Sequence, residues 1–120
     1  MSAKTPMVCR HYHRAVELIG RRWTGAVLQV LMGGRTRYCE IRSAIPEVSD
    51  RMLSERLKEL EAEGIVMRIV TPDTPVRVEY ELSQKGRALE QALVAIQRWA
   101  EEWKDSPAGP PQASARAIRA

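Results

Sequence analysis

The chain has 120 residues, 44% of them hydrophobic, with seven glycines, seven prolines and a formal net charge of +4; that suits one domain with one core and excludes a fibrous or low-complexity protein. No apolar run approaches the ~20 residues of a membrane span and no apolar leader segment opens the sequence, so a cytoplasmic protein is expected, in which Cys9 and Cys39 stay reduced and are too few for a disulfide scaffold. The charge is uneven: residues 1–37 hold seven Lys/Arg against one acid (+6), residues 38–64 four against seven (−3) and the remainder eight against seven (+1).

In chain order, residues 1–8 read as a flexible arm. From Cys9 to Gly20 the positions Tyr12, Ala15, Val16 and Ile19 fit one helical face, and Gly20 ends or kinks the helix. A second helix is expected from Arg22 to Met32, with Trp23, Val27, Val30 and Leu31 on one side, before Gly33-Gly34 break it. Trp23 belongs to the core on this reading, with an effector pocket as the alternative. Arg35 and Arg37 follow, where a helix N-terminus could meet a phosphate.

The stretch from Arg37 to Val66 organises the rest. Tyr38, Ile41 and Ile45 form the apolar face of a short helix that Pro46 stops, because the residue before a proline is driven out of the helical region. Ser49 and Asp50 then supply an N-cap and a first-turn acid for a longer helix. In it Leu53, Leu57 and Leu60 fall on one stripe, which must be buried. Arg51, Glu55 and Lys58 lie opposite, with Ser54 on the shoulder, as an outward polar face. Gly64 is expected as a left-handed C-cap. Two such helices with apolar inner faces and a short turn make a helix-turn-helix.

Beyond it, Ile65 to Thr71 and Val76 to Leu82 are β-rich runs around Pro72-Asp73-Thr74-Pro75, read as a two-stranded hairpin with Val78, Tyr80 and Leu82 on one face and Arg77, Glu79 and Glu81 on the other. Ser83 is expected to cap one long helix carrying Leu89, Ala92, Leu93, Ile96, Trp99 and Trp103. Its apolar surface is wider than so small a core can cover, so Tyr12, Leu89, Leu93, Ile96, Trp99 and Trp103 are expected in a dimer interface, with folding of the tryptophans back on the first helix of the same chain as the alternative. Residues 9–104 thus form the domain, and 105–120, rich in Pro, Ala and Ser, a flexible tail.

The order helix, helix, helix-turn-helix, hairpin, helix describes an α+β fold, mainly α: a winged helix-turn-helix with a two-stranded wing and an added C-terminal dimerisation helix. ELIGRRWT at 17–24, RYCEIRSAIPEVSDRMLSERLKELEAEGIV at 37–66 and PVRVEYELSQKGRAL at 75–89 closely resemble the HxlR family of bacterial transcription regulators, and the likeness spans about Cys9 to Trp103. The resemblance implies a homodimer that binds a near-palindromic operator in double-stranded DNA and changes transcription of nearby genes. Its reading helix corresponds to Ser49–Glu63 and its wing to Ile65–Leu82. Many members carry a cysteine near the N-terminus, often followed by proline, and some use it to sense quinones, aldehydes or oxidants. Cys9 stands at that place, followed by Arg10.

Arg51, Ser54, Glu55 and Lys58, with Ser49 at the cap, are therefore the candidates for base or groove-edge contact. Arginine can grip guanine bidentately, serine can serve either partner, and glutamate can accept from cytosine. Arg37 and Arg77 are candidates for phosphate or minor-groove contact. A solvated face laced by ion pairs is the alternative for all of them. Cys9 is the candidate sensor for a small-molecule effector, since helical spacing sets His13 on its face and an imidazolium there favours the thiolate. A small residue tucked under the dimer helices is the alternative. Cys9, His11 and His13 could also be read as zinc ligands, but a structural site wants four, so neither metal nor cofactor is expected. Cys39 lies off the apolar face of its helix. An enzyme finds no support: there is no phosphate-binding glycine loop or nucleophile motif, and the carboxylates have no histidine partner. A winged-helix module that binds protein rather than DNA is the reading the acidic middle segment would favour.

Overall fold

A computed structural model of the chain describes residues 7–107. It divides between Glu90 and Gln91 into two compact units. Most of the arm and tail expected from the sequence, residues 1–6 and 108–120, lies outside the described residues.

The first unit opens with α1 (Arg10–Ile19), with Cys9 as its N-cap and Gly20 as its C-cap. None of its residues is buried. Ile19 is half-covered, but Tyr12 and Val16 stand 68% and 48% exposed, so much of its apolar stripe has no cover among the described residues. Helix α2 (Thr24–Leu31) buries Val27, Leu28 and Leu31. It starts later than the spacing suggests, because Trp23 lies outside it at φ 76°, a left-handed conformation that a bulky side chain adopts only under constraint. Trp23 is only half-buried there, with the Arg22 guanidinium 5.0 Å from its ring centre.

A two-residue strand, β1 (Thr36–Arg37), leads into α3 (Tyr38–Ala44), followed by α4 (Asp50–Ala62), β2 (Val66–Thr71) and β3 (Arg77–Leu82). The hairpin pairs Val66 with Leu82 through Thr71 with Arg77, antiparallel. The sheet has a third strand that the sequence did not signal: β1 joins the free edge of β3, Thr36 opposite Tyr80 and Arg37 opposite Glu79, giving the order β1-β3-β2. Two residues are too few to display an alternation of period two.

The core gathers Val27, Leu28 and Leu31 from α2, Ile41 and Ile45 from the α3 segment, and Leu53, Leu57 and Leu60 from α4, with Ile65, Val66, Tyr80 and Leu82 from the sheet. Each of the three α4 leucines is no more than 1% exposed, and burying such a side chain is worth ~1.5–3 kcal/mol, so the leucine stripe fixes which face of α4 looks inward.

The last expected helix is two. Ser83 caps only α5 (Gln84–Ala88), and α6 (Glu90–Glu102) follows after a break at Leu89, whose amide bonds the Gly86 carbonyl three residues back at 3.0 Å. Gly86 sets where α5 sits: a Cβ there would collide with the carbonyl of Ile65, so α5 lies against the residue just before β2 at backbone contact distance. In the second unit Leu93 is buried, whereas Ile96, Trp99 and Trp103 are exposed. Among the described residues no helix is long and apolar enough to cross a membrane.

Candidate nucleic-acid interface

The helix-turn-helix is held by local chemistry at both ends of α4. At its start the Ser49 hydroxyl accepts from the Met52 amide at 3.1 Å, satisfying one of the helix's unpaired first-turn donors. Val48, just before the cap, is buried like Leu53 four positions into the helix, the placement of a hydrophobic staple. At its end the Gly64 amide reaches the Glu61 carbonyl at 3.0 Å and the Ile65 amide the Leu60 carbonyl at 2.9 Å, with Gly64 at φ 77°. This is the two-bond pattern of a Schellman cap, which needs a left-handed residue at that position.

Helix α3 clamps the first turn of α4. Arg42 Nε donates to Asp50 Oδ1 at 2.7 Å, and the Tyr38 hydroxyl lies 3.3 Å from Asp50 Oδ1, from the Asp50 carbonyl and from Ser54 Oγ. The hydrogen bond from Arg42, then its charge, hold the Asp50 carboxyl below its ordinary value. Tyr38, expected on the apolar face, is half-buried and works chiefly through its hydroxyl, while Ile41 and Ile45 fill the core.

The outward face of α4 is polar. The Arg51 side chain is 89% exposed, its Nε 3.4 Å from Glu55 Oε2, and Lys58 is exposed one turn on. Ser54, half-buried, has its hydroxyl against Tyr38 and sits between the polar face and the core. A groove of about 420 Å³ opens where the hairpin turn meets α3, and both Arg37 and Arg77 line it beside Tyr38 and Cys39. Arg77 lies 3.7 Å from Asp73 in the turn, and the Arg37 amide donates to Glu40 at 2.9 Å while its side chain is exposed. Two candidates far apart in sequence thus share one groove. Arg35 is committed elsewhere: it pairs with Glu81 at 3.3 Å and approaches Glu79 at 3.9 Å.

At the other end, Cys9 is exposed and its Sγ accepts from the Tyr12 amide at 3.5 Å. The His13 imidazole, which spacing offered to the thiol, pairs with Glu17 at 3.5 Å, and what His13 gives Cys9 is its backbone amide, bonded to the Cys9 carbonyl at 2.9 Å. Of the residues expected in a dimer interface, Tyr12, Ile96, Trp99 and Trp103 are more than half exposed, Leu89 is half-buried and Leu93 is covered.

Sequence reasoning missed Arg56. It lies on α4 among the leucines, 7% exposed, where composition alone would place a solvated charge. The available signal was its spacing: residues 53, 56, 57 and 60 all fall on the inward side at 100° per residue.

The family described as HxlR-like helix-turn-helix matches residues 18–108. YvaP of Bacillus subtilis (strain 168), an uncharacterized HTH-type transcriptional regulator, is 48% identical over 98 residues, covering 82% of this chain and 91% of YvaP. The reduced form of the transcriptional regulator YodB from B. subtilis superposes with a TM-score of 0.74 at 44% identity, covering 84% of this chain and 99% of YodB, which has also been solved diamide-treated and quinone-bound. The redox regulator HypR in its reduced form gives a TM-score of 0.76 at 36% identity, over 79% of this chain and 94% of HypR.

Proposed function

The chain belongs to the HxlR-like helix-turn-helix family, whose members here are transcriptional regulators rather than enzymes, and from that premise we propose that it acts in the cytoplasm as a homodimer on a near-palindromic operator in double-stranded DNA. The observation that carries this reading is the outward face of α4: Arg51, Glu55 and Lys58 exposed together on a helix whose opposite stripe is fully buried and whose first turn is clamped by α3. Arg51 addresses base edges, and Ser54 and Glu55 the groove wall beside it. Ser49 sets the entry of the helix, and Arg37 and Arg77, on their shared groove, hold the phosphate backbone. Two copies joined through Tyr12, Leu89, Ile96, Trp99 and Trp103, with Leu93 already covered within each chain, present two reading helices about one DNA turn apart, ~34–36 Å.

Cys9 is the sensor in this account. It is exposed at the head of α1, and adduct formation or oxidation there disturbs the cap that its sulfur provides to the Tyr12 amide. The effector is an electrophile or oxidant, in keeping with the diamide-treated and quinone-bound forms of YodB.

Selection from a pool of random duplexes tests the core of this reading. The recovered sites should contain inverted half-sites spaced by about one turn, bound with a steep fall of affinity in salt. Recovery of no sequence, with no DNA bound even at low salt, would instead support a protein-binding module. With the selected duplex in hand, diamide and benzoquinone should release the wild type and leave Cys9→Ser bound; release of both alike removes Cys9 from the mechanism.

A further inference from the structure

Among the buried residues Arg56 is the only one of the described chain that carries a formal charge, with 9% of its side chain exposed. Its Nε donates to the carbonyl of Arg22 at 2.9 Å, and its Nη1 lies 3.0 Å from Glu59 Oε2. The other oxygen of Glu59 is 3.3 Å from Arg21 Nε. The cluster therefore joins α4 to the corner between α1 and α2, the same corner that holds Trp23 at φ 76° with the Arg22 guanidinium over its ring.

We propose that Arg56 is the positioning residue of the reading helix: its buried guanidinium fixes the rotation of α4 against the α1–α2 corner, and with it the place where Arg51, Glu55 and Lys58 are presented. This rests on the DNA-reading role proposed above. Stability does not call for the arginine. Desolvating an ion pair costs about as much as the pair returns, and apolar side chains of similar volume in place of both partners would hold the helix as well or better. Direction does call for it. Leucine contacts tolerate small rotations, whereas a planar guanidinium that meets a carbonyl and a carboxylate at once does not, and a lysine nitrogen cannot span both. A rotation of only about 10° moves a side-chain tip, ~5–6 Å from the helix axis, by about 1 Å, enough to spoil bidentate base contact.

The corner also gives the cluster a route to α1. Arg14 on α1 pairs with Glu63 at 3.1 Å, at the end of α4, and Arg21, just past the α1 C-cap, reaches Glu59 one turn earlier, so α1 and the corner that follows it grip α4 at two points along its length. Movement of α1 is thereby delivered to the reading face as rotation or tilt of α4.

The test uses full-length Arg56→Met, Arg56→Lys and Glu59→Gln, with the duplex selected by the wild type and poly(dI-dC) as the non-specific probe. Arg56→Met should keep its melting temperature within a few degrees, lose about tenfold or more in affinity for the selected duplex, and hold poly(dI-dC) within about twofold of wild type. Arg56→Lys, which keeps the charge and one bond, should recover part of the preference. Glu59→Gln, half-exposed and free to fold, should lose preference in the same direction and decides the matter if Arg56→Met does not fold. Preference retained within about twofold in Glu59→Gln and in whichever Arg56 variant folds overturns the assignment, as does a loss on both DNAs in proportion to lost stability. Should the wild type prefer no duplex, it is the DNA-reading role that fails. Amide exchange over residues 57–62 then decides for Arg56: about tenfold faster exchange in the variants upholds positioning, and unchanged exchange refutes it.

Discussion

Arg51 and Arg77 carry the same charge and are expected to do different work. Arg51 is 89% exposed on α4, and if it reads a base edge as proposed, Arg51→Ala should cost ~1–3 kcal/mol on one base pair of the selected duplex and relax the preference there. Arg77, at the start of β3, meets only backbone on this account. Arg77→Ala should weaken all sequences alike and flatten the salt slope by about 1 unit, and titrations of both variants against matched and mismatched duplexes separate the two outcomes. Asp50 offers a check on the clamp itself. Its carboxyl titrates below the ordinary 3.8 because Arg42 donates to it, so the pair strengthens the turn above that pH and its contribution vanishes as pH falls through the lowered value. In Arg42→Ala the Asp50 carboxyl signal, followed by NMR, should move back up towards 3.8. An unmoved titration would show that Arg42 is not the cause.

At the scale of elements, α4 owes its place to features of three kinds. The leucine stripe supplies burial, the Ser49 and Gly64 caps fix its length, and Arg56 with Tyr38 and Arg42 fixes its orientation. Removing a cap should cost ~1 kcal/mol and leave the reading face intact, so caps and clamps are separable by experiment. Helix α5 is seated differently. Ser83 Oγ donates to the Gly64 carbonyl and lies 3.0 Å from the Ile65 carbonyl, Lys85 Nζ donates to the Glu63 carbonyl at 2.6 Å, and Gly86 lies against Ile65 with no room for a Cβ. Gly86→Ala should therefore destabilise the protein by roughly 1–3 kcal/mol in spite of alanine's better helix propensity, a reversal that urea denaturation would detect. A gain in stability would mean that α5 has freedom to move off the strand.

For the molecule as a whole, the decisive quantity is the apolar surface left uncovered. Among the described residues Tyr12 and Val16 on α1 and Ile96, Trp99 and Trp103 on α6 are between 48% and 68% exposed, more than a solitary regulator of this size has reason to carry. If that surface joins two copies, Trp99→Glu with Trp103→Glu should give a monomer in sedimentation equilibrium and lose about a hundredfold or more in operator affinity, because one reading helix cannot span two half-sites. A double variant that remains dimeric would move the interface elsewhere. The charge map sits well with this division of labour: the reading segment is net acidic, and the basic excess lies in residues 1–37, so affinity must come from around the reading helix rather than from it.

Periodicity, caps and breakers are local properties, and the sequence by itself determined whatever depends on them. Leu53, Leu57 and Leu60 had to face inward, Pro46 had to end α3, Ser49 had to open α4 and Gly64 had to close it, and the motifs around them named the family. Contacts between residues distant in the chain were decided only by the tertiary structure. Two residues of β1 found an edge on β3, Gly86 let α5 seat against Ile65, and Arg56 went inward because a carbonyl 34 positions away was there to receive it. No window on the sequence contains both halves of such a pair, and a charged side chain is buried or solvated according to the partner it meets.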